Sequence, residues 1–159
     1  SRRENDVEHS WHLAVMAVIL KEYSAQTVDL SRVMKMVLLH DLVEIDAGDT
    51  FAYDAEAGLD KEEREKAAAD RLYGLLPPDQ EEELRALWDE FEAKFATCLD
   101  RMQPLLNNYH TQGGTWLTHD VSSEKVRKRM EPIGEISPTL GEYVESLIED
   151  AIFQGILKK

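Results

Sequence analysis

The segment that decides the fold is MKMVLLHDLVEIDAGDT, residues 34–50. It begins as an apolar run and ends in the adjacent pair His40 and Asp41, with Glu44 one helical turn later. A glycine then breaks the helix, and a further aspartate follows the break. Carboxylates and an imidazole are costly to bury after an apolar run unless a metal ion or a cationic partner lies beside them. We therefore interpret this segment as half of a metal site.

Helical spacing places two histidines on inward faces. In the helix that leads into this segment, the inward positions are Val33, Met36, Val37, His40 and Glu44. In the preceding helix, from about Glu8 to Ser24, the apolar positions are Leu13, Met16, Ala17 and Leu20. His9 lies four residues before the first of these and therefore shares their face. Asp41 is expected on the flank of its helix, where an ion beside the helix can still be reached.

The rest of the chain predicts an all-α fold, a bundle of about six helices in a single domain over residues 1–159. An ordered loop is expected over residues 49–59, followed by a capping box of Asp60 and Glu63. Further helices are predicted over residues 62–76, 79–107, 121–130 and 138–155, with a loop over residues 132–138. The alternative for residues 79–107 is two helices, if residues are missing between Glu92 and Phe95.

Composition excludes several classes of protein. The net charge of −14 repels nucleic acid and anionic membranes, and RKR at residues 127–129 is a short run expected on a solvated helix face. The longest apolar stretch, residues 13–20, is too short to span a bilayer. Cys98 has no partner for an intramolecular disulfide and is expected to be buried. We expect a cytoplasmic protein that binds neither nucleic acid nor membrane.

Four residues stand where a helical bundle would place apolar side chains or leave a cavity: His9, His40, Asp41 and Asp100. Two imidazoles and two carboxylates suit a divalent ion such as Mn, Fe, Co, Ni or Zn, and not haem or an iron–sulfur cluster. Such an ion keeps positions open for water and substrate. Taken alone, each residue also has an ordinary explanation, as a hydrogen-bonded core histidine or half of an ion pair. The residues by themselves therefore leave a mononuclear metal site as one of several alternatives.

The order of these residues resembles the HD-domain metal-dependent phosphohydrolase superfamily, whose signature is H…HD…D on a helical bundle. Residues 2–10, RRENDVEHS, resemble the segment around the first histidine in the bacterial 5'-deoxynucleotidases of this superfamily. Residues 40–49, HDLVEIDAGD, match their HDxxE…GD stretch, and the pair Asp100-Arg101 fits the last ligand. The resemblance covers nearly the whole chain.

The resemblance implies a metal-dependent phosphomonoesterase that hydrolyses the 5'-phosphate of (deoxy)nucleoside monophosphates. One divalent ion (Mn, Co, Fe, Ni, Zn or Mg) would be held by His9, His40, Asp41 and Asp100. Glu44 would act as the general acid/base, Asp49 would assist at the substrate, and Arg2 would neutralise phosphate. The family has a further helix upstream of the first histidine, and we expect that this segment is missing from the chain, so sugar selectivity is not predicted.

Other functions stay open at this point. A dinuclear HD phosphodiesterase needs additional histidines, and none occurs between Asp41 and Asp100. A guanosine tetraphosphate hydrolase would pair Glu44 with Asp46 or Asp49. A non-catalytic helical metal-binding module would need no Glu44 at all. The apolar last helix, residues 138–153, belongs either to the core or to the interface of a homodimer, which is common among relatives.

Overall fold

The computed structural model shows an all-α bundle and describes residues 4–54, 59–90 and 95–159. The α-helices are α1 (Asp6–Leu20), α2 (Leu30–Leu39), α3 (Glu44–Ala47), α4 (Lys61–Tyr73), α5 (Pro78–Glu90), α6 (Phe95–His110), α7 (Gly114–Thr118), α8 (Ser123–Ile136) and α9 (Pro138–Phe153). Two 3₁₀ turns cover Lys21–Tyr23 and His40–Val43. Since these described ranges contain no β-strand, the predicted fold class is confirmed.

Several helices begin at side chains that cap their first backbone N–H groups. Asn5 accepts from the N–H of Glu8 at 3.1 Å, and the Glu8 carboxylate accepts from the N–H of Asn5 at 3.3 Å, which forms a capping box at α1. Asp29 caps α2, and Ser137 caps α9. These caps satisfy N–H groups that have no partner within the helix.

The core is built around α6, which packs against α1, α2 and α8. Its buried apolar positions are Phe95, Ala96, Cys98, Leu99, Met102 and Leu105. The buried apolar positions of α1 and α2 are Leu13, Met16, Ala17, Val33, Met36 and Val37, all of them predicted, whereas the predicted Leu20 is only partly buried. Burial also raises the pKa of the Cys98 thiol to about 11, as expected for an inert core cysteine. Because the inward faces of three helices converge, polar residues on those faces are brought together.

The helix predicted to continue past residue 40 is interrupted there. After α2 the chain passes through the 3₁₀ turn His40–Val43 before α3 begins at Glu44. The Glu44 N–H donates to the carbonyl of Asp41 instead of the carbonyl four residues back. A 3₁₀ turn winds more tightly than an α-helix, so it changes the direction in which successive side chains point.

Side chains from two other helices support this turn. The Tyr73 hydroxyl of α4 donates to the Leu39 carbonyl at 3.2 Å. The Trp88 indole N–H of α5 donates to the His40 carbonyl at 3.3 Å. A carbonyl at the end of a helix lacks its usual partner, and these donors supply one. Trp88 therefore has a function in the fold that depends on its indole N–H as well as on its apolar ring.

Two local predictions differ from the structure, and a third lies outside the described residues. The predicted loop over residues 132–138 is wrong, because α8 continues through Pro132 to Ile136; proline removes only its own N–H from the helical ladder. The capping box at Asp60 is also wrong, because its carboxylate accepts from Arg64 Nε at 3.0 Å and makes no capping bond. Whether the predicted helix 79–107 is continuous depends on residues 91–94, which lie outside the described residues. The predicted alternative, that residues are missing after Glu92, falls on the same segment.

Length and hydropathy also limit what the helices can do. Within the described parts of the chain, none is both long and apolar enough to cross a lipid bilayer.

Gly48 ends α3 with φ of 78° and ψ of 144°, a conformation that residues with a Cβ rarely adopt. We predict that Gly48→Ala lowers the free energy of unfolding by about 1–3 kcal/mol in urea denaturation, because alanine is strained in this conformation. An added Cβ would meet nothing closer than Arg64 Nη1 at 3.9 Å, so the loss would come from the backbone.

Gly134 provides the matched control. It lies within α8, and a Cβ added there meets nothing within 4 Å. Gly134→Ala should therefore raise the free energy of unfolding by up to about 1 kcal/mol. Equal effects of the two substitutions would contradict the conformational requirement at Gly48.

Candidate metal centre

Three elements bring four polar side chains to one point. α1 carries His9, the 3₁₀ turn carries His40 and Asp41, and α6 carries Asp100. His9 Nε2 lies 3.3 Å from Asp100 Oδ1 and 3.8 Å from Asp41 Oδ2. His40 Nε2 lies 3.0 Å from Asp41 Oδ1 and 3.7 Å from Asp100 Oδ1. The four side chains that the sequence singled out are therefore neighbours.

A backbone carbonyl orients the His40 ring. Nδ1 lies 3.0 Å from the Val37 carbonyl oxygen, one turn earlier, and donates its proton to it. Nε2 therefore faces the carboxylates of Asp41 and Asp100. Since His40 is only 8% exposed, this orientation is held by packing as well as by the hydrogen bond.

Burial and charge act in opposite directions on the protons of this cluster. Burial alone would lower the pKa of His40, but its hydrogen bonds to Asp100 and Asp41, and the charges of both, raise that pKa to about 10. The pKa of His9 is raised by the same carboxylates against the effect of its burial. Burial would raise the pKa of Asp100, yet hydrogen bonds from both histidines and the charge of Arg129 hold it well below its usual range. The carboxylates therefore attract positive charge, which protons or a metal ion can supply.

The donor set fits a divalent metal ion. The ligand atoms of His9, His40 and Asp41 lie within 4.8 Å of one another. One ion with bonds of about 2.0–2.2 Å spans nearly that separation. Imidazole nitrogen and carboxylate oxygen together suit Mn, Fe, Co, Ni and Zn. These three residues could hold the ion, and Asp100, which contacts both imidazoles, stays the predicted fourth ligand.

Glu44 lies next to this cluster with a strongly perturbed carboxyl group. Burial raises the pKa of Glu44 to about 7, helped by the charges of Asp41 and Asp49 and opposed by Lys61. Lys61 Nζ is 3.7 Å from Glu44 Oε1 and 3.2 Å from Glu65 Oε1. Near neutral pH, Glu44 is divided between its protonated and ionised forms, which is what a general acid or base requires.

The cluster opens into a cavity of about 910 Å³. Its lining includes four cations, Lys61, Lys66, Arg101 and Arg129, and three aromatic residues, Phe51, Tyr53 and Trp88. Asp49, placed by the turn at Gly48, also lines the cavity with an exposed side chain. Arg2 lies outside the described residues, so its predicted contact with phosphate stays a prediction.

Arg129 corrects the expectation that residues 127–129 form one solvated face. Arg129 Nη2 lies 3.9 Å from Asp100 Oδ2 at the wall of the cavity. Arg127, two positions earlier, instead pairs with Glu145 and Glu149 on α9. Two positions on an α-helix are about 200° apart, so neighbouring arginines can serve opposite faces. Only long-range packing distinguishes them, and the sequence offered no signal for it.

Comparisons with known proteins show the family of this chain. Residues 1–140 match the HD domain family. The 5'-deoxynucleotidase HDDC2 of Homo sapiens is 32% identical over 111 residues, which are 66% of this chain and 53% of that protein. The HDDC2 protein of Bos taurus is 33% identical over 109 residues, 65% of this chain and 52% of that protein. The chain spans about half the length of these curated relatives.

A solved structure is similar over the whole chain. It is the crystal structure of a predicted metal-dependent phosphohydrolase from Magnetospirillum magnetotacticum MS-1, with a TM-score of 0.94 and 53% sequence identity. The match covers 100% of this chain and 83% of that one. An all-α bundle that joins a first histidine, a His-Asp pair and a later aspartate defines an HD-type domain. This chain belongs to the HD domain family.

We predict that a divalent ion displaces protons when it binds at neutral pH. The pKa of His40 is about 10 and that of His9 is also raised, whereas a metal ligand must be a neutral imidazole. Affinity should therefore increase as the pH rises toward the pKa of His40. Isothermal titration calorimetry in buffers of different ionisation enthalpy measures the released protons. An affinity that does not change between about pH 6 and about pH 9 would contradict this assignment.

Proposed function

We propose that this protein is a metal-dependent phosphohydrolase that removes the 5'-phosphate of (deoxy)nucleoside monophosphates. The observation that carries the proposal is the convergence of the four predicted ligands at the wall of a cavity that also contains Glu44. The family supports phosphate hydrolysis, and the relatives named 5'-deoxynucleotidase support the substrate class.

The metal ion and Glu44 divide the chemistry between them. When bound, a divalent ion polarises phosphoryl oxygens and lowers the pKa of water. Glu44 holds or moves the proton, either by activating the water or by protonating the 5'-oxygen of the leaving nucleoside. Its pKa of about 7 makes both forms available near neutral pH. Lys61, 3.7 Å from Glu44, limits how far this pKa rises.

Local positive charge explains how an acidic protein can bind a phosphate monoester. The chain carries a net charge of −14, so the overall field repels an anionic substrate. Arg129, Arg101, Lys61 and Lys66 line the cavity among more numerous carboxylates, so the attraction would depend on these cations together with a bound divalent ion. Arginine is the better of the two residue types for contacts to two phosphate oxygens at once. Arg2 and Asp49 would add contacts to phosphate and substrate.

The aromatic side chains of the cavity wall suit the nucleoside. Phe51 and Tyr53 lie on the loop after α3, with ring centroids 5.5 Å apart in an edge-to-face arrangement. His119 stacks on Phe51 with centroids 4.3 Å apart, which fixes the Phe51 ring. Aromatic faces stack on nucleobases with little dependence on sequence.

Cytoplasmic location and a homodimer stay predictions from the sequence.

The test is a phosphate-release assay on a panel of ribo- and deoxyribonucleoside monophosphates with each added divalent ion. We predict that Glu44→Gln lowers kcat by about 10²–10⁴-fold and leaves metal affinity close to wild type, because it removes only the proton donor or acceptor. The matched control is Glu62→Gln, which removes a cavity carboxylate paired with Lys66 and should retain full activity.

Two outcomes would contradict the proposal. One is an absence of nucleotide hydrolysis in the wild-type protein with every ion tested. The other is a Glu44→Gln variant as active as wild type. Asp41→Asn should lose both bound metal and activity, and full metal content in that variant would show that the ligand set is wrong.

We also predict that Arg129→Met raises KM for a nucleoside monophosphate about tenfold or more, since a charge-assisted contact is lost. Arg127→Met is the matched control, because Arg127 pairs with Glu145 on the surface and is absent from the cavity wall. Steady-state kinetics on both variants measures the difference. Identical KM values for the two variants would show that Arg129 does not bind the phosphate.

A further inference from the structure

Both nitrogens of the His9 ring face carboxylates. Nε2 points to the metal cluster, 3.3 Å from Asp100 Oδ1. Nδ1 lies on the other side, 3.6 Å from Glu4 Oε2. In His40 the corresponding Nδ1 proton is held by a backbone carbonyl. His9 lies in the first turn of α1, and its Nδ1 faces a carboxylate instead.

A buried amide holds that carboxylate in place. Gln103 Nε2 donates to Glu4 Oε1 and Oε2, each at 2.8 Å, and lies 3.1 Å from His12 Nδ1. Gln103 is fully buried, at 0% exposure. It lies one turn after Asp100 on α6, so both residues are on the same face of one helix. The same rigid element therefore supplies a predicted ligand and the anchor for Glu4.

The two possible orientations of the Gln103 amide differ in what they place against Glu4. Its Oε1 is buried and has no hydrogen-bond partner among the described residues. An unpaired buried acceptor costs about 1–3 kcal/mol, a loss that an apolar side chain of similar size would avoid. Turning the amide over would place Oε1 against the Glu4 carboxylate, where two acceptors repel. The side chain is therefore held in the orientation that donates to Glu4.

We propose that Glu4, anchored by Gln103, positions His9 for metal binding. The Glu4 carboxylate, 3.6 Å from Nδ1, favours the tautomer that keeps the proton on Nδ1 and turns the Nε2 lone pair to the cluster. A carboxylate beside the second ring nitrogen fixes the ring of a metal-bound histidine and increases its basicity. Glu4 and Gln103 are positioning residues and do not contact substrate. The inference rests on the metal site of the proposed function.

The test measures Co(II) affinity of the protein by calorimetry. Glu4→Gln and Gln103→Met should each weaken binding about 10–100-fold. Glu8→Gln is the matched control, since it removes a carboxylate from the same turn of α1 but keeps an oxygen that can accept from the Asn5 N–H. It should bind Co(II) as wild type does. Circular dichroism and thermal unfolding of Gln103→Met show whether weaker binding comes from a folding defect. Because Glu4 lies at the surface, Glu4→Gln tests the positioning of His9 without disturbing the core.

A spectroscopic readout distinguishes positioning from a general structural effect. In the Co(II)-loaded protein, each ligand imidazole should give a hyperfine-shifted, exchangeable N–H signal in the proton NMR spectrum. Glu4→Gln should speed the exchange of the His9 signal with water and leave the His40 signal unchanged. Unchanged affinity and unchanged exchange in both variants would overturn the inference.

The inference and the proposed function fail in different ways. Weaker Co(II) binding in the variants, in a protein that hydrolyses no nucleotide, would support the positioning by Glu4 and overturn the function. Nucleotide hydrolysis with variants that bind Co(II) as wild type does would overturn the positioning alone. A wild-type protein that binds no Co(II) would overturn the inference.

Discussion

The structure depends on the attraction between two imidazoles and two carboxylates that three separate elements bring to one half-buried point. His9, His40, Asp41 and Asp100 would each be costly to bury alone, and together they compensate one another's charge. The apolar faces of α1, α2 and α6 place them there, so the core and the site are produced by the same packing. A divalent ion at this point would add metal bonds to the hydrophobic contacts and the imidazole–carboxylate pairs that already join these three elements.

The tight turn after α2 shows how much of a site depends on its support. Continuing the α-helix would leave Asp41 on the flank, whereas the 3₁₀ turn places its carboxylate 3.0 Å from the His40 ring. Tyr73 and Trp88 keep the turn in place by donating to its carbonyls. Helices α4 and α5 therefore contribute to the site through backbone hydrogen bonds as well as through the cavity wall.

The sequence predicted the class of fold and singled out the four side chains that the structure brings together, because both follow from periodicity and from a short ordered signature. His9 and His40 were found by counting turns from apolar neighbours, a local property. The roles of Arg129, Gln103 and Trp88 were missed, since each depends on a partner far away in the chain. The turn at His40 was also missed, because 3₁₀ and α-helical turns share nearly the same residue preferences.

Three of the four cations that line the cavity lie near carboxylates. Lys61 lies within 3.2 Å of Glu65, Lys66 pairs with Glu62, and Arg129 lies 3.9 Å from Asp100. When a bound anion departs, the nearby carboxylate can again pair with such a cation. In the proposed reaction, whose product is inorganic phosphate, such replacement would lower the cost of product release without weakening the initial attraction of the substrate.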